Sequence, residues 1–239
     1  MTDPFAALLA LQDLDVRLDG IRARLAALEA GEPLRATAED LEKTTAALER
    51  RSRLLQQLER QAQREEAEAR ELRAERERVE ARLYGGEIAS VKEMEKMQER
   101  IRYLAETADS HELAALEAME KAEELRPVVA RLKARRERLE GEVARIKAEI
   151  ETEIKELRRQ EEDLAARVDP ARAAVPAKLL SDYDFHRRRR GGDVVAAVDG
   201  DRCTGCSVVL PVALLSRVKK RERLETCENC GRLLVWLGG

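Results

Sequence analysis

Aromatic side chains are scarce in this 239-residue sequence: one Trp, three Tyr and two Phe, 3% of the chain. Rings supply much of the area that a globular core buries, so a wide core is excluded over most of the length. No stretch reaches the roughly 18 consecutive apolar residues of a membrane span, and no membrane contact is expected. Met1-Thr2-Asp3-Pro4 has neither a basic segment nor a small-residue cleavage site, so no export signal is read and the expected location is cytoplasmic. The sequence also lacks HExxH, HxE followed by CxxC, a phosphate-cradling glycine loop and a Ser/His/Asp set. With two histidines in all, the expectation is no enzyme and no small-molecule substrate.

What is present is charge, at 39% of residues, on a background of Ala, Glu, Leu, Arg and Lys. That bias, with apolar residues at helical spacing, marks long helices or coiled coil. Thr2 or Asp3 can cap the first helix, and Pro4 suits its first position, where a missing N–H costs nothing. Leu11, Leu14, Leu18, Ile21, Leu25 and Leu28 follow at alternating spacings of three and four, a heptad seam. The pattern stumbles at Gly31-Glu32-Pro33, where a kink or short break is expected. It resumes at Leu41, Leu48, Leu55 and Leu58 and continues through Ala62, Ala69, Leu72, Val79 and Leu83. Glu65 and Arg76 stand at two core-phase positions.

Tyr84-Gly85-Gly86 reads as a stop, because glycine closes a helix at little steric cost. Ser90, with Glu93 three residues on, can cap a second helix over 91–168. Its seam includes Met94, Met97, Ile101, Leu104 and Ala108, then Leu132, Leu139, Val143, Ile146, Ile150, Leu157 and Leu164. Pro127 is expected to bend it and Asp169-Pro170 to end it. Two nearly equal arms about a glycine turn predict an antiparallel hairpin. Numbers facing each other across the turn would add to about 175, which sets Leu72 near Tyr103 or Leu104. A continuous rod pairing in parallel with a second copy is the alternative, and it leaves Gly85-Gly86 unexplained.

Beyond 170 the sequence changes character. A short helix is expected over 177–190, a strand at Val194, Val195 and Val198, and another over 233–237. Cys203-Thr-Gly-Cys206 and Cys227-Glu-Asn-Cys230 are separated by 20 residues, a spacing suited to tetrahedral zinc. In a chain with no export signal, metal binding is favoured over disulfides. Four thiolates close the coordination shell, whereas a catalytic zinc usually keeps one position for water. One structural Zn²⁺ on Cys203, Cys206, Cys227 and Cys230 is expected, with Gly205 and Gly231 easing the tight turns. The rival is four ordinary buried cysteines.

Charge is unevenly divided. Residues 171–239 hold 13 Lys and Arg against 8 Asp and Glu, whereas residues 1–170 hold 32 against 40. Arg187, Arg188, Arg189 and Arg190 form one basic cluster, and Arg217, Lys219, Lys220, Arg221 and Arg223 form another. One reading is a phosphate-contacting surface; the other is solvated residues, the first cluster suiting a helix C-terminus. His111 and His186 are read as surface residues. Tyr183, Phe185 and Trp236 are read as packing the short helix and the ribbon.

The segments LYGGE at 83–87 and KEMEKMQERI at 92–101, with CTGC, Leu210-Pro211 and CENCGRLL, resemble the bacterial coiled-coil proteins that carry a C4-type zinc ribbon. The resemblance spans essentially the whole chain. It implies nucleic-acid binding or, as in some relatives, an adaptor role with the sigma-54 transcription factor, flagellar assembly or secretion. It also implies the same four cysteine ligands. Val235 stands where the family often has tyrosine, and the alanine- and arginine-rich composition suggests a high-GC genome to which a flagellar role need not transfer.

The fold expected is therefore mainly α: a long antiparallel coiled-coil hairpin over 1–170, turning near 85–90, and a connector helix with a small β-containing zinc ribbon over 171–239. The expected function is a non-enzymatic zinc-ribbon adaptor that binds RNA or DNA and is associated with transcription, with a protein partner recruited through the coiled coil. The alternative is an architectural protein–protein scaffold whose zinc is purely structural.

Overall fold

The computed structural model describes residues 3–86 and 90–238; Thr2 and Glu87, read above as part of a cap and of a motif, lie outside the described residues. Contacts divide the chain into two compact units, one of Leu34–Arg145 and one of Met1–Pro33 with Ile146–Gly239. Helix α1 (Pro4–Glu29) begins where Asp3 accepts a hydrogen bond from the Phe5 amide at 3.0 Å. It ends at the expected break: Gly31 takes a φ of +70°, and Glu32 opens helix α2 (Glu32–Tyr84), with Pro33 in its first turn. Helix α3 (Val91–Ala173) starts with the Ser90 carbonyl accepting from the Glu93 and Met94 amides.

In the Leu34–Arg145 unit, α2 and α3 run antiparallel. Ion pairs cross between them at Asp40 with Arg135 (2.8 Å), Glu59 with Arg126 (3.2 Å), Glu75 with Arg100 (2.6 Å) and Glu93 with Arg82 (3.7 Å). Such exposed pairs are individually weak but record the register. They fall into two sets, with numbers adding to about 175 in one and 185 in the other, as pairs on opposite flanks of one seam do. Three of the four add to 175, the sum expected across the turn. Buried seam residues here are largely alanines: Ala62 and Ala69 on α2, and Ala108, Ala115, Ala118 and Ala122 on α3. Glu65, at a core-phase position, meets His111 across the seam at 2.6 Å, so His111 is tied to the hairpin rather than loose on its surface.

One proline expectation fails: helix α3 is not ended by Asp169-Pro170 but runs on to Ala173, and it is also continuous through Pro127. A proline forfeits one hydrogen bond, but the flanking turns are retained: the Pro170 carbonyl still accepts from the Ala174 amide at 3.2 Å.

The other unit is built around a small sheet. After helix α4 (Ala177–Arg190) come β1 (Val195–Asp199), β2 (Arg202–Cys203), helix α5 (Val212–Lys220), β3 (Glu225–Thr226) and β4 (Leu233–Val235). The order is β2-β1-β4-β3, with β1 and β4 parallel at the centre and antiparallel pairs outside. Strand side chains alternate faces, and here both faces are covered. Val195, Leu233 and Val235 pack with Phe5, Leu8, Leu11 and Tyr183; Ala196, Val198 and Leu234 pack with Leu214, Val218, Cys203 and Cys227. Helix α5 was not foreseen, although Pro211 ahead of Val212, Leu214, Leu215 and Val218 marks a start and an apolar face.

Helix α1 is buried on two neighbouring stripes. Leu14 and Leu18 join Leu164 of α3, while Phe5, Leu8, Gln12 and Asp15, also spaced 3, 4, 3, meet the sheet and α4. The Gln12 amide accepts from the Val194 and Val195 N–H groups (2.8 and 2.5 Å) and donates to the Val195 carbonyl at 2.8 Å and to Asp193 at 2.6 Å. Gln12→Leu keeps the volume but orphans two buried N–H groups at about 1–3 kcal/mol each. The expected outcome is loss of hydrogen-exchange protection at Val194 and Val195 and a lower melting transition for this unit, with protection over 34–145 unchanged.

Candidate metal centre

Each CxxC segment is a tight knuckle whose backbone turns the second sulfur back toward the first. In the first, the Ser207 amide donates to the Cys203 carbonyl at 2.7 Å; in the second, the Gly231 amide donates to the Cys227 carbonyl at 2.7 Å. The equivalent positions after each pair have positive φ, +61° at Ser207 and +70° at Gly231. The permissive backbone is thus needed at Ser207 rather than at Gly205. Gly205 matters for space: a Cβ there would lie 2.7 Å from Cδ of Arg232.

The knuckles face each other. All four Sγ atoms lie within 4.8 Å of one another, Cys203 to Cys230 at 3.8 Å and Cys206 to Cys227 at 3.9 Å. A tetrahedron with Zn–S near 2.3 Å has edges of about 3.8 Å, so the donor set has the size and chemistry for one zinc. Cys203 and Cys227 are buried in the ribbon core, Cys206 and Cys230 partly exposed. Without metal, burial pushes the Cys203 thiol up to about 12. The Val208 N–H and the Asn229 side chain draw Cys206 down to about 6. A bound zinc overrides that difference, since a coordinating thiol is deprotonated outright.

The basic residues divide sharply. Arg187 is turned inward, with only 20% of its side chain exposed. It bonds to Asp19 at 2.6 Å and lies beside Asp15, whose carboxylate also accepts from the buried Tyr183 hydroxyl at 2.8 Å. Burial raises the Tyr183 hydroxyl above its ordinary value, with the Asp15 hydrogen bond and charge adding to the effect. Arg190 donates to the Cys230 carbonyl. Arg221 pairs with Asp3 and lies over the Phe5 ring at 4.7 Å. Arg217 and Arg223 share Glu225, at 3.2 and 2.8 Å. Lys219 lies 4.6 Å over Trp236, and Arg189 lies 5.3 Å over Phe185. Among the described residues, Arg188 and Lys220 are exposed and carry no such partner. Trp236 packs on the ribbon core as expected, but Phe185 is 49% exposed; of the two aromatics on α4, Tyr183 does the packing.

Sequence reasoning passed over Arg232 and Asp15. Arg232 donates to the Gly205 carbonyl at 2.8 Å and pairs with Asp193 at 3.4 Å. Its guanidinium is held above its ordinary value, first by a hydrogen bond to Cys230. The CGR triplet after the last cysteine was the available sign. For Asp15 the sign was a carboxylate one position past a seam leucine.

The chain belongs to the CT398-like coiled coil hairpin domain family, matched over residues 11–191, and residues 202–234 match the C4-type zinc ribbon domain. The fold is shared with CT398 from Chlamydia trachomatis (18% identity, TM-score 0.78, 98% of each chain covered). It is also shared with a protein from Mycobacterium smegmatis (23% identity, TM-score 0.74, 97% of each chain). The HP0958 protein from Helicobacter pylori is similar at 17% identity and a TM-score of 0.55, with 98% of each chain covered. Among curated proteins none matches. The ribbon match and the sulfur geometry together identify one structural zinc.

Metal and protons compete for the same thiolates, so zinc retention should fall as the pH is lowered. Elemental analysis should find one zinc per chain near neutral pH and progressive release on acidification. Cys203→Ser with Cys230→Ser should abolish binding; zinc retained by that double variant would contradict the site.

Proposed function

We propose that this protein is a non-enzymatic adaptor whose helical hairpin and zinc ribbon each hold a partner, and that the ribbon's partner is another protein. The observation that carries this is a short exposed apolar run. Val208, Val209 and Val212 are 40%, 47% and 82% exposed, within five residues of chain that run from the first knuckle to the first residue of α5. Single exposed apolar residues are ordinary, but grouped ones suit a docking surface. On the hairpin, Leu113 and Leu116 are similarly exposed, at 60% and 57%. Among the described residues no helix is long and apolar enough to cross a membrane. A cytoplasmic location and the absence of catalysis are part of the proposal.

Nucleic acid is the second reading, and with it the transcription-associated role implied by the resemblance. The exposed Arg188, Lys219 and Lys220, and Arg189 over the exposed Phe185 ring, support it. Arg187 and Arg190 do not, being engaged within the fold. Four phosphate contacts on a single strand would give a log–log salt slope near −2.8, from about 0.7 per contact.

A photocrosslinking residue at position 212 of the full chain should give a discrete protein adduct in cells that survives nuclease and is lost when Val208 and Val209 are changed to serine. Nuclease-sensitive adducts formed only from position 188, with the stated salt slope on single-stranded RNA, would transfer the proposal to nucleic acid.

A further inference from the structure

The zinc centre carries a charge problem that the four cysteines do not solve. Zn²⁺ with four thiolates has a net charge of −2, in a module where Cys203 and Cys227 are fully enclosed. Burying uncompensated charge is expensive. Two guanidinium groups stand at the knuckles. Arg190, the last residue of α4, donates to the Cys230 carbonyl of the second knuckle. Arg232, two residues after Cys230, donates to the Gly205 carbonyl of the first knuckle at 2.8 Å. Arg232 is also held by Asp193, through its carbonyl at 3.1 Å and its carboxylate at 3.4 Å.

The knuckles are shaped to admit these side chains. A Cβ on Gly205 would fall 2.7 Å from Cδ and 2.8 Å from Nη1 of Arg232, and a Cβ on Gly231 would fall 2.5 Å from Nη1 of Arg190. Real Cβ atoms do not approach neighbours so closely, so each knuckle places a glycine where an arginine crosses it. At Gly231 the backbone also has a positive φ, but at Gly205 it does not, so a side chain there would act by displacing Arg232.

We propose that Arg190 and Arg232 are positioning residues for the metal, one on each knuckle, which offset the zinc–tetrathiolate charge and set how tightly the ribbon holds zinc. The inference rests on the structural zinc identified above. It gives Arg190 a role different from phosphate contact and fastens the end of α4 to the second knuckle. A guanidinium group at each knuckle opposes the −2 charge of the loaded centre and so favours it. Outer contacts of this kind typically carry about 10- to 100-fold in metal affinity.

The test is competition for zinc between the full-length protein and a chromophoric chelator, with cobalt substitution reporting four-sulfur tetrahedral ligation. Arg190→Gln and Arg232→Gln should each weaken retention about 10-fold or more while the cobalt spectrum keeps its form, and raising the salt concentration should narrow the deficit. Arg232→Lys, which keeps the charge, should retain most of the affinity. Gly205→Ala should weaken zinc like Arg232→Gln, and the double variant should lose little more, because both remove the same contact. Gln variants that match the parent protein would overturn the proposal. So would Lys variants as weak as Gln variants, which would assign the effect to hydrogen-bond geometry instead of charge. Loss of all metal binding in Arg232→Lys as well as in the Gln variants, with one zinc still held by the parent, would overturn it too, because charge would not be what sets retention.

Discussion

The Gln12 side chain does for the start of β1 what a neighbouring strand would do. Strand β2 pairs only with Val198 and Asp199, so the first residues of β1 have no strand on that flank. A buried N–H without a partner costs free energy comparable to a lost hydrogen bond. One amide, held on α1, accepts from two such groups and donates to the Val195 carbonyl. Around it, Phe5 and Leu8 contribute apolar area, and Asp15 anchors Tyr183 of α4. The ribbon sheet is too small to bury both of its faces alone. One is closed by α5 and the metal centre, the other by α1 and α4. The N-terminal helix is therefore as much a part of the ribbon's core as the strands are.

That arrangement explains which features could be read from the residues. The hairpin was legible because a heptad seam and a glycine stop are local signals: each leucine's place follows from its neighbours three and four positions away. The zinc ligands were legible because CxxC spacing is a local device too. What escaped depends on contacts between distant segments. Leu14 and Leu18 are seam residues by periodicity, but nothing near Gln12 reveals that its partners lie more than 180 residues away. Pro170 misled for a related reason. It removes one bond from a helix whose neighbouring turns carry on to Ala173, so context overrode a local rule. The charge cluster of 187–190 reads as a uniform surface in sequence, yet a helix distributes four consecutive residues around its circumference. Arg187 is directed inward to Asp15 and Asp19, Arg190 reaches the metal knuckle, and Arg188 and Arg189 are left to solvent.

Function follows from the same distribution. A basic segment that is partly consumed in holding its own domain together is a weaker phosphate surface than its composition suggests. The exposed valines beside the first knuckle have no role in either core. In the proposed adaptor the metal is the fixed point of the ribbon's binding surface, and the helical part supplies a second one. In the Leu34–Arg145 unit the seam is lined largely by alanines and leucines are exposed on α3, which suits the proposed protein partner of the hairpin.

The central claim is that α1 and the zinc ribbon form one cooperative core. Hydrogen exchange along the full chain, with zinc bound and after removal by a strong chelator, tests it most directly. If the claim holds, amides over residues 7–18 lose protection together with those of β1 and β4 when zinc is removed, while those over 40–140 keep theirs. Protection retained over 7–18 while the ribbon exchanges freely would contradict it, and would make the ribbon an independent appendage.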